Sequence, residues 1–187
     1  MSLLSFALWL QDTDFFTGLR LSFYVYPIVL TGHLAGIIVF GGTVLVTDLR
    51  LLGLALRKYP VADVAGQLRG LKCAGLLLVA PCGLLLLGSK AEEYYYNVFF
   101  HWKLVFFALV ALHGLVFHGS VYGKLDDIDR SGRVPPRAKA AAWLSLALWT
   151  GLIVIGRGIG FVEPPASLHA YHSFLPAPSA VPVFELQ

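Results

Sequence analysis

The chain has 187 residues, of which 57% are hydrophobic and 13% charged, and its formal net charge is +3. Soluble domains run near 45–50% apolar and about 25% charged. The figures therefore exclude a disordered chain, a disulfide scaffold and most soluble enzymes, and they predict an integral membrane protein. So small a net charge calls for no nucleic acid as partner.

Residues 1–18 come first. Leu3, Leu4, Phe6, Ala7, Trp9 and Leu10 predict a short helix lying in the outer membrane interface, with Phe15 and Phe16 as further anchors. No basic stretch precedes these residues and no small-residue cleavage site follows them, so they do not read as a signal peptide.

Four uncharged runs follow: Leu21–Thr47, Cys73–Ser89, Leu104–Gly123 and Ala140–Gly156. A spanning helix needs about 20 apolar residues. The second and fourth runs are short, and Lys72 and Arg157 extend them by snorkelling. The first should continue as helix beyond the membrane to Leu56. Pro81 should kink the second. Cys73 and Cys82 lie nine residues apart, on opposite sides of one helix, and cannot bridge each other. The runs lack the alternation of barrel strands. The predicted fold is all-α: a four-helix membrane bundle over residues 19–162, with an extended external tail from residue 163 to residue 187.

Basic residues orient it. Arg50, Arg57, Lys58, Arg69 and Lys72 lie between the first two runs, and Lys124, Arg130, Arg133, Arg137 and Lys139 between the last two. The opposite side has Arg20, Lys90, Lys103 and Arg157. The positive-inside rule places the two basic stretches in the cytoplasm and both termini outside. For a bacterium this means the inner membrane, with periplasmic termini.

Candidate chemistry rests on histidine. His33 lies in the first run; His101, His113 and His118 lie at or in the third. Ionisable groups at membrane depth are costly and mark function or interhelical bonds. If Leu21 and His101 enter the membrane at one level, His33 and His113 share a depth. His118 lies about 7.5 Å deeper at a rise of about 1.5 Å per residue, and it projects about 140° away from His113. Bis-histidine ligation of haem b between two helices would use such a pair. Lys103 and Arg157 are candidates to meet its propionates. Gly32, Ala35, Gly36, Gly41 and Gly42 surround His33 and permit either close helix packing or a planar cofactor. Asp48 and Arg50 do not face each other, so each needs a partner elsewhere. The chain has no phosphate loop, no dinucleotide fingerprint, no CxxCH haem-attachment motif and no nucleophile–base pattern. A stand-alone enzyme is not expected.

Several elements appear in a recognisable order: His33, then Asp48-Leu-Arg50-Leu-Leu-Gly53, then Gly83-Leu-Leu-Leu-Leu-Gly88 with Ala91 and Tyr95. Asn97-x-x-Phe100-x-x-Lys103, Phe117-His118, Trp149 and Gly156-Arg157-Gly-Ile-Gly-Phe161 complete the series. The series, over roughly residues 20–161, resembles an uncharacterised family of bacterial four-helix membrane proteins, cytochrome b-like in architecture. The resemblance implies haem b, with His33 and His118 as the recurrent pair and metal ligands. His113 stands where that pattern has asparagine. Depth favours His113 and resemblance His118.

The tail holds five prolines among Leu168, Tyr171, Phe174, Leu175, Val181, Val183, Phe184 and Leu186. Apolar anchors without a core of their own predict docking onto other membrane or periplasmic subunits. His169 and His172 there could hold a metal weakly. Two readings result. One is a haem b subunit passing electrons between an external partner and the quinone pool. The other is a non-redox membrane anchor or assembly subunit with structural histidines.

Overall fold

The computed structural model describes residues 2–120 and 125–162, the side chains of residues 118–120 and 126 excepted. The predicted extended tail, with His169 and His172, lies outside the described residues. All regular elements among those described are helical.

Two short helices open the chain. Helix α1 (Leu3–Gln11) starts on Ser2, whose hydroxyl accepts the Ser5 amide, and α2 (Asp14–Leu21) starts on Thr13, whose hydroxyl accepts the Phe16 amide. The first span is α3 (Val25–Leu52). It stops short of the predicted Leu56 because Gly53 turns left-handed, at φ +74°. The Gly53 amide bonds the Arg50 carbonyl and the Leu54 amide that of Leu49, closing the helix.

The second span, α4 (Val61–Ser89), starts twelve residues before the uncharged run and carries Asp63, Arg69 and Lys72 within the helix. Its first turn is held from outside: Asp129 Oδ1 accepts the Val61 amide at 2.8 Å and Oδ2 the Ala62 amide at 2.9 Å. Pro81 lies inside this helix, which continues on both sides of it. After α5 (Ala91–Tyr96) comes α6 (Val98–Ser120), the third span. Then come α7 (Leu125–Ser131), which carries Asp129, and α8 (Pro136–Gly158), the fourth span, which ends in a 3-10 turn at Ile159–Phe161.

Four of these helices are long and apolar enough to cross a membrane. Their outward faces show large apolar side chains: Leu77, Leu115 and Val154 are 74%, 75% and 65% exposed. In water such surfaces would aggregate, whereas in a bilayer they meet lipid. The chain is therefore a multi-pass membrane protein in a lipid bilayer. Its tightest apolar packing lies at the basic-loop end, where Leu51, Val61, Ala65, Phe117, Leu125, Ile128, Ala138 and Ala142 form one buried cluster.

The spans are arranged in the order α4, α3, α8, α6: α3 packs against α4 and α8, and α8 packs against α6. Among the described residues α6 makes no close backbone approach to α3 or α4.

At the opposite end α1, α2 and α5 form an outer layer. Gln11 donates to the Glu92 carboxylate at 3.4 Å and accepts the Glu92 amide at 3.1 Å. Arg20 donates to the Ser89 carbonyl at 3.1 Å. Phe15 is 65% exposed, as an interfacial anchor should be. Phe16 is not: its ring fills the notch at Gly88, where a Cβ would collide with it. Phe16 thus packs protein against protein, a correction to its expected role as a lipid anchor.

Tyr94 in this layer stacks on Phe100, with ring centroids 4.8 Å apart and planes 19° apart. Burial, and then the neighbouring Tyr26 and Glu93, push its phenol up to about 12. The unfolded chain gives up this proton near the ordinary value of 10.0. The stabilisation Tyr94 provides is therefore complete below that pH and is lost as pH rises through the folded value. Ultraviolet titration of the folded protein should show one tyrosine ionising near pH 12, absent in Tyr94→Phe. An unchanged titration in that variant would contradict the assignment.

Candidate functional site

The site begins with an unusually close helix pair. A Cβ on Gly36 of α3 would fall 2.6 Å from the Val79 backbone nitrogen of α4, and one on Gly75 of α4 would fall 2.6 Å from the Phe40 backbone nitrogen. Gly32, Gly36 and Phe40 recur every fourth residue on α3, as Gly75, Val79 and Gly83 do on α4. Each series keeps one helix face, and small residues let the two backbones touch.

His33 lies at this seam, 9% exposed. Its Nδ1 is 3.0 Å from the Val79 carbonyl oxygen. A carbonyl can only accept, so Nδ1 carries the proton and Nε2 the lone pair. A Cβ on Gly83 would stand 2.9 Å from the ring's Cε1, so the ring is packed as well as bonded. The small residues near His33 divide by role. Gly36 serves helix contact, as does Gly32, where a Cβ would lie 3.2 Å from the Cys82 sulfur. At Gly41 a Cβ would stand 4.0 Å from the Trp149 ring, and at Gly42 it would meet nothing within 4 Å.

The third span meets α8 along residues seven apart. The Phe99 ring fills the place of a Gly158 Cβ, and the Phe106 ring that of a Gly151 Cβ. His113 is the next step on this stripe, half-buried, with its ring 5.6 Å from that of Phe117. The stripe faces α8, not α3.

These contacts also set depth. Phe40 and Trp149 have ring centroids 5.4 Å apart, and Trp149 stands two residues inward of Gly151. Phe40 is thus roughly level with Ala108 of α6. Counting outward along α3, His33 comes opposite the Phe99–Lys103 turn. His113 then lies about 18 Å deeper and the His118 backbone about 26 Å deeper, at a rise of about 1.5 Å per residue. The shared depth of His33 and His113 presupposed that Leu21 and His101 enter together. In fact α3 starts at Val25 and reaches further outward than α6, into the layer built by α1, α2 and α5. Neither His33 with His113 nor His33 with His118 stands at one level. The side chain of His118 lies outside the described residues. His101 is exposed, with its Nδ1 3.0 Å from the Asn97 carbonyl.

Lys103 belongs to the α6 turn that comes level with His33. Its ammonium lies 5.8 Å from the Phe107 ring centroid. The ion pairs among the described residues, Lys90–Glu93 and Arg130–Asp127, do not include it. Arg157 is exposed and stacks its guanidinium over Phe161 at 4.7 Å.

As a test of haem ligation, His33 has the ring orientation that a metal-bound imidazole takes, with the far nitrogen donating to a carbonyl. The second ligand does not fit: both third-span candidates stand well below it.

The model of a family of unknown function, DUF6644, matches residues 16–162. The chain belongs to this family. The match runs from α2 through the 3-10 turn and takes in His33, the glycine seam, Lys103 and all four spans. No curated protein and no solved structure matches the sequence.

The roles of three contributors escaped sequence reasoning. The Val79 carbonyl is main chain, and Pro81 signalled a loosened backbone nearby without naming it. Asn97 donates to the Ile159 carbonyl at 3.1 Å and accepts the Phe100 amide at 3.2 Å, capping α6 and tying it to the end of α8. Asp129 is 68 residues from the amide it caps.

Proposed function

We propose that the chain is a membrane-anchoring subunit of a larger assembly, in which His33 ties α3 to α4. The observation that carries this reading is the His33–Val79 hydrogen bond, made at a level that the third-span histidines do not share. Other polar side chains act in the same way: Asn97 joins α6 to the end of α8, Arg20 joins α2 to α4, and Gln11 joins α1 to α5. The apolar, proline-rich residues 163–187 offer the partner a contact surface. In orientation, the basic loops face the cytoplasm of a bacterial inner membrane and the termini face the periplasm. Labelling of a cysteine at Ser131 from the periplasmic side of intact cells would reverse that orientation.

A second reading has support from two observations: Nε2 of His33 has no hydrogen bond among the described residues, and Lys103 belongs to the α6 turn at its level. These suit haem b with His33 as one axial ligand and Lys103 at a propionate, in a subunit passing electrons to the quinone pool. A reduced-minus-oxidised absorption spectrum of the purified protein decides between the two. The anchor reading expects no haem bands. Sharp α and Soret bands that vanish in His33→Ala would replace it with the haem reading.

A further inference from the structure

Asp48 is 3% exposed, one turn before Leu51 of the inner apolar cluster. Across from it, on α8, the buried Ser145 hydroxyl is the side chain that bears on the carboxyl group. The second oxygen, Oδ2, is buried without a hydrogen-bond partner among the described residues. Nearby donors are committed elsewhere. Thr43 donates to the Phe40 carbonyl at 2.7 Å and Thr47 to the Thr43 carbonyl at 2.8 Å. Arg50 turns away and donates to the Tyr59 carbonyl at 2.7 Å.

An ionised carboxylate held this way keeps a charge in an apolar interior with half its acceptor capacity unused, which is costly. A proton on Oδ2 removes the charge. We propose that Asp48 is a proton-binding site that exchanges with the aqueous phase at the basic-loop end of the bundle. In uptake, Oδ2 forms an O–H bond with a proton from hydronium and leaves water; release reverses the step.

Each helix packed on α3 bears on the two states. From α4, the charged groups toward this end are Asp63, Arg69 and Lys72, and a cation there favours a carboxylate. From α8, the Ser145 hydroxyl bonds the ionised form and can accept from the protonated one. Helix α2, with Asp14 and Arg20, is at the far end of α3. His113 of α6 lies at a neighbouring depth on the stripe that faces α8. A metal cation is a poor occupant. No group of three or more carboxylate, histidine or cysteine ligands occurs among the described residues, and Lys72 repels a cation.

Infrared difference spectroscopy across a pH titration of the full chain in lipid tests the site. A deuterium-sensitive carbonyl band of a protonated carboxyl should appear, vanish in Asp48→Asn and shift in frequency in Ser145→Ala. A band that persists in Asp48→Asn, or no such band at any pH, overturns the proposal. So does a band abolished by sodium at constant pH, which would mark a cation site. Should Asp48→Asn fail to fold, an unshifted band in Ser145→Ala overturns it equally.

Discussion

Gly36→Leu and Gly75→Leu are expected to separate α3 from α4 and to lower stability more than any other single changes in the spans. Adding bulk to a packed core costs about 1–3 kcal/mol when side chains can move aside. Here a Cβ alone would already stand 2.6 Å from the backbone of the opposite helix. A backbone cannot change rotamer, so the helices must part, and the cost should exceed that range. Parting them also breaks the His33–Val79 hydrogen bond and uncovers a buried imidazole. Gly42→Leu is the matched control: the same residue types on the same helix, with nothing within 4 Å of the new Cβ. Thermal unfolding in detergent should show large losses for the first two variants and little change for the control. Equal melting temperatures for Gly36→Leu and Gly42→Leu would show that the seam does not determine stability.

Asp129→Ala should fray the start of α4. The first amides of a helix lack partners within it, and here two successive ones, Val61 and Ala62, share a single carboxylate from α7. The negative charge also complements the helix dipole. A cap of this kind contributes up to about 2 kcal/mol, and the loss should be at the upper end because both bonds go at once. Val61 is almost fully buried in the inner cluster, so fraying also unpacks apolar contacts. Asp129→Asn keeps one acceptor and should lose less. Hydrogen exchange at Val61 and Ala62 should speed up in Asp129→Ala and stay slow in the middle of α4. Unchanged protection at these two amides would refute the capping role.

Most of the architecture could be read from the sequence, because lipid imposes a length and a polarity on each span. Over its described residues each run falls mainly on one long helix, although the first opens at the end of α2 and is broken at residues 22–24 before α3. Their ends were less legible. The α3 terminus depends on one left-handed glycine, and the start of α4 depends on an aspartate in another loop. The candidate site was half legible. His33 stood out as a histidine among small residues, and a bonded, buried ring was one of its readings. Its partner is a carbonyl, which a side-chain pattern cannot name. The histidine pairing by depth used the edges of uncharged runs as a ruler. Those edges misplace α3 against α6, because Arg20 ends the charge-free run but belongs to α2, a separate helix. Phe16 was misread for a related reason: its target, Gly88, is far away in sequence and small enough to leave no apolar signal.

The glycine seam also governs how the molecule can move. With backbone against backbone at Gly36 and Gly75, and the His33 ring bonded and packed between the helices, α3 and α4 have little side-chain freedom with which to slide or swivel. They enter, tilt in and respond to the bilayer as a single rigid hairpin. Helices α6 and α8 meet through phenylalanine rings set in glycine notches; among the spans α8 carries that second hairpin against the first, through Trp149 on Phe40, while α7 clasps the start of α4 at the basic-loop end. Changes in bilayer thickness or lateral pressure will therefore be taken up along the α3–α8 boundary, where side chains rather than backbone set the spacing between the two halves.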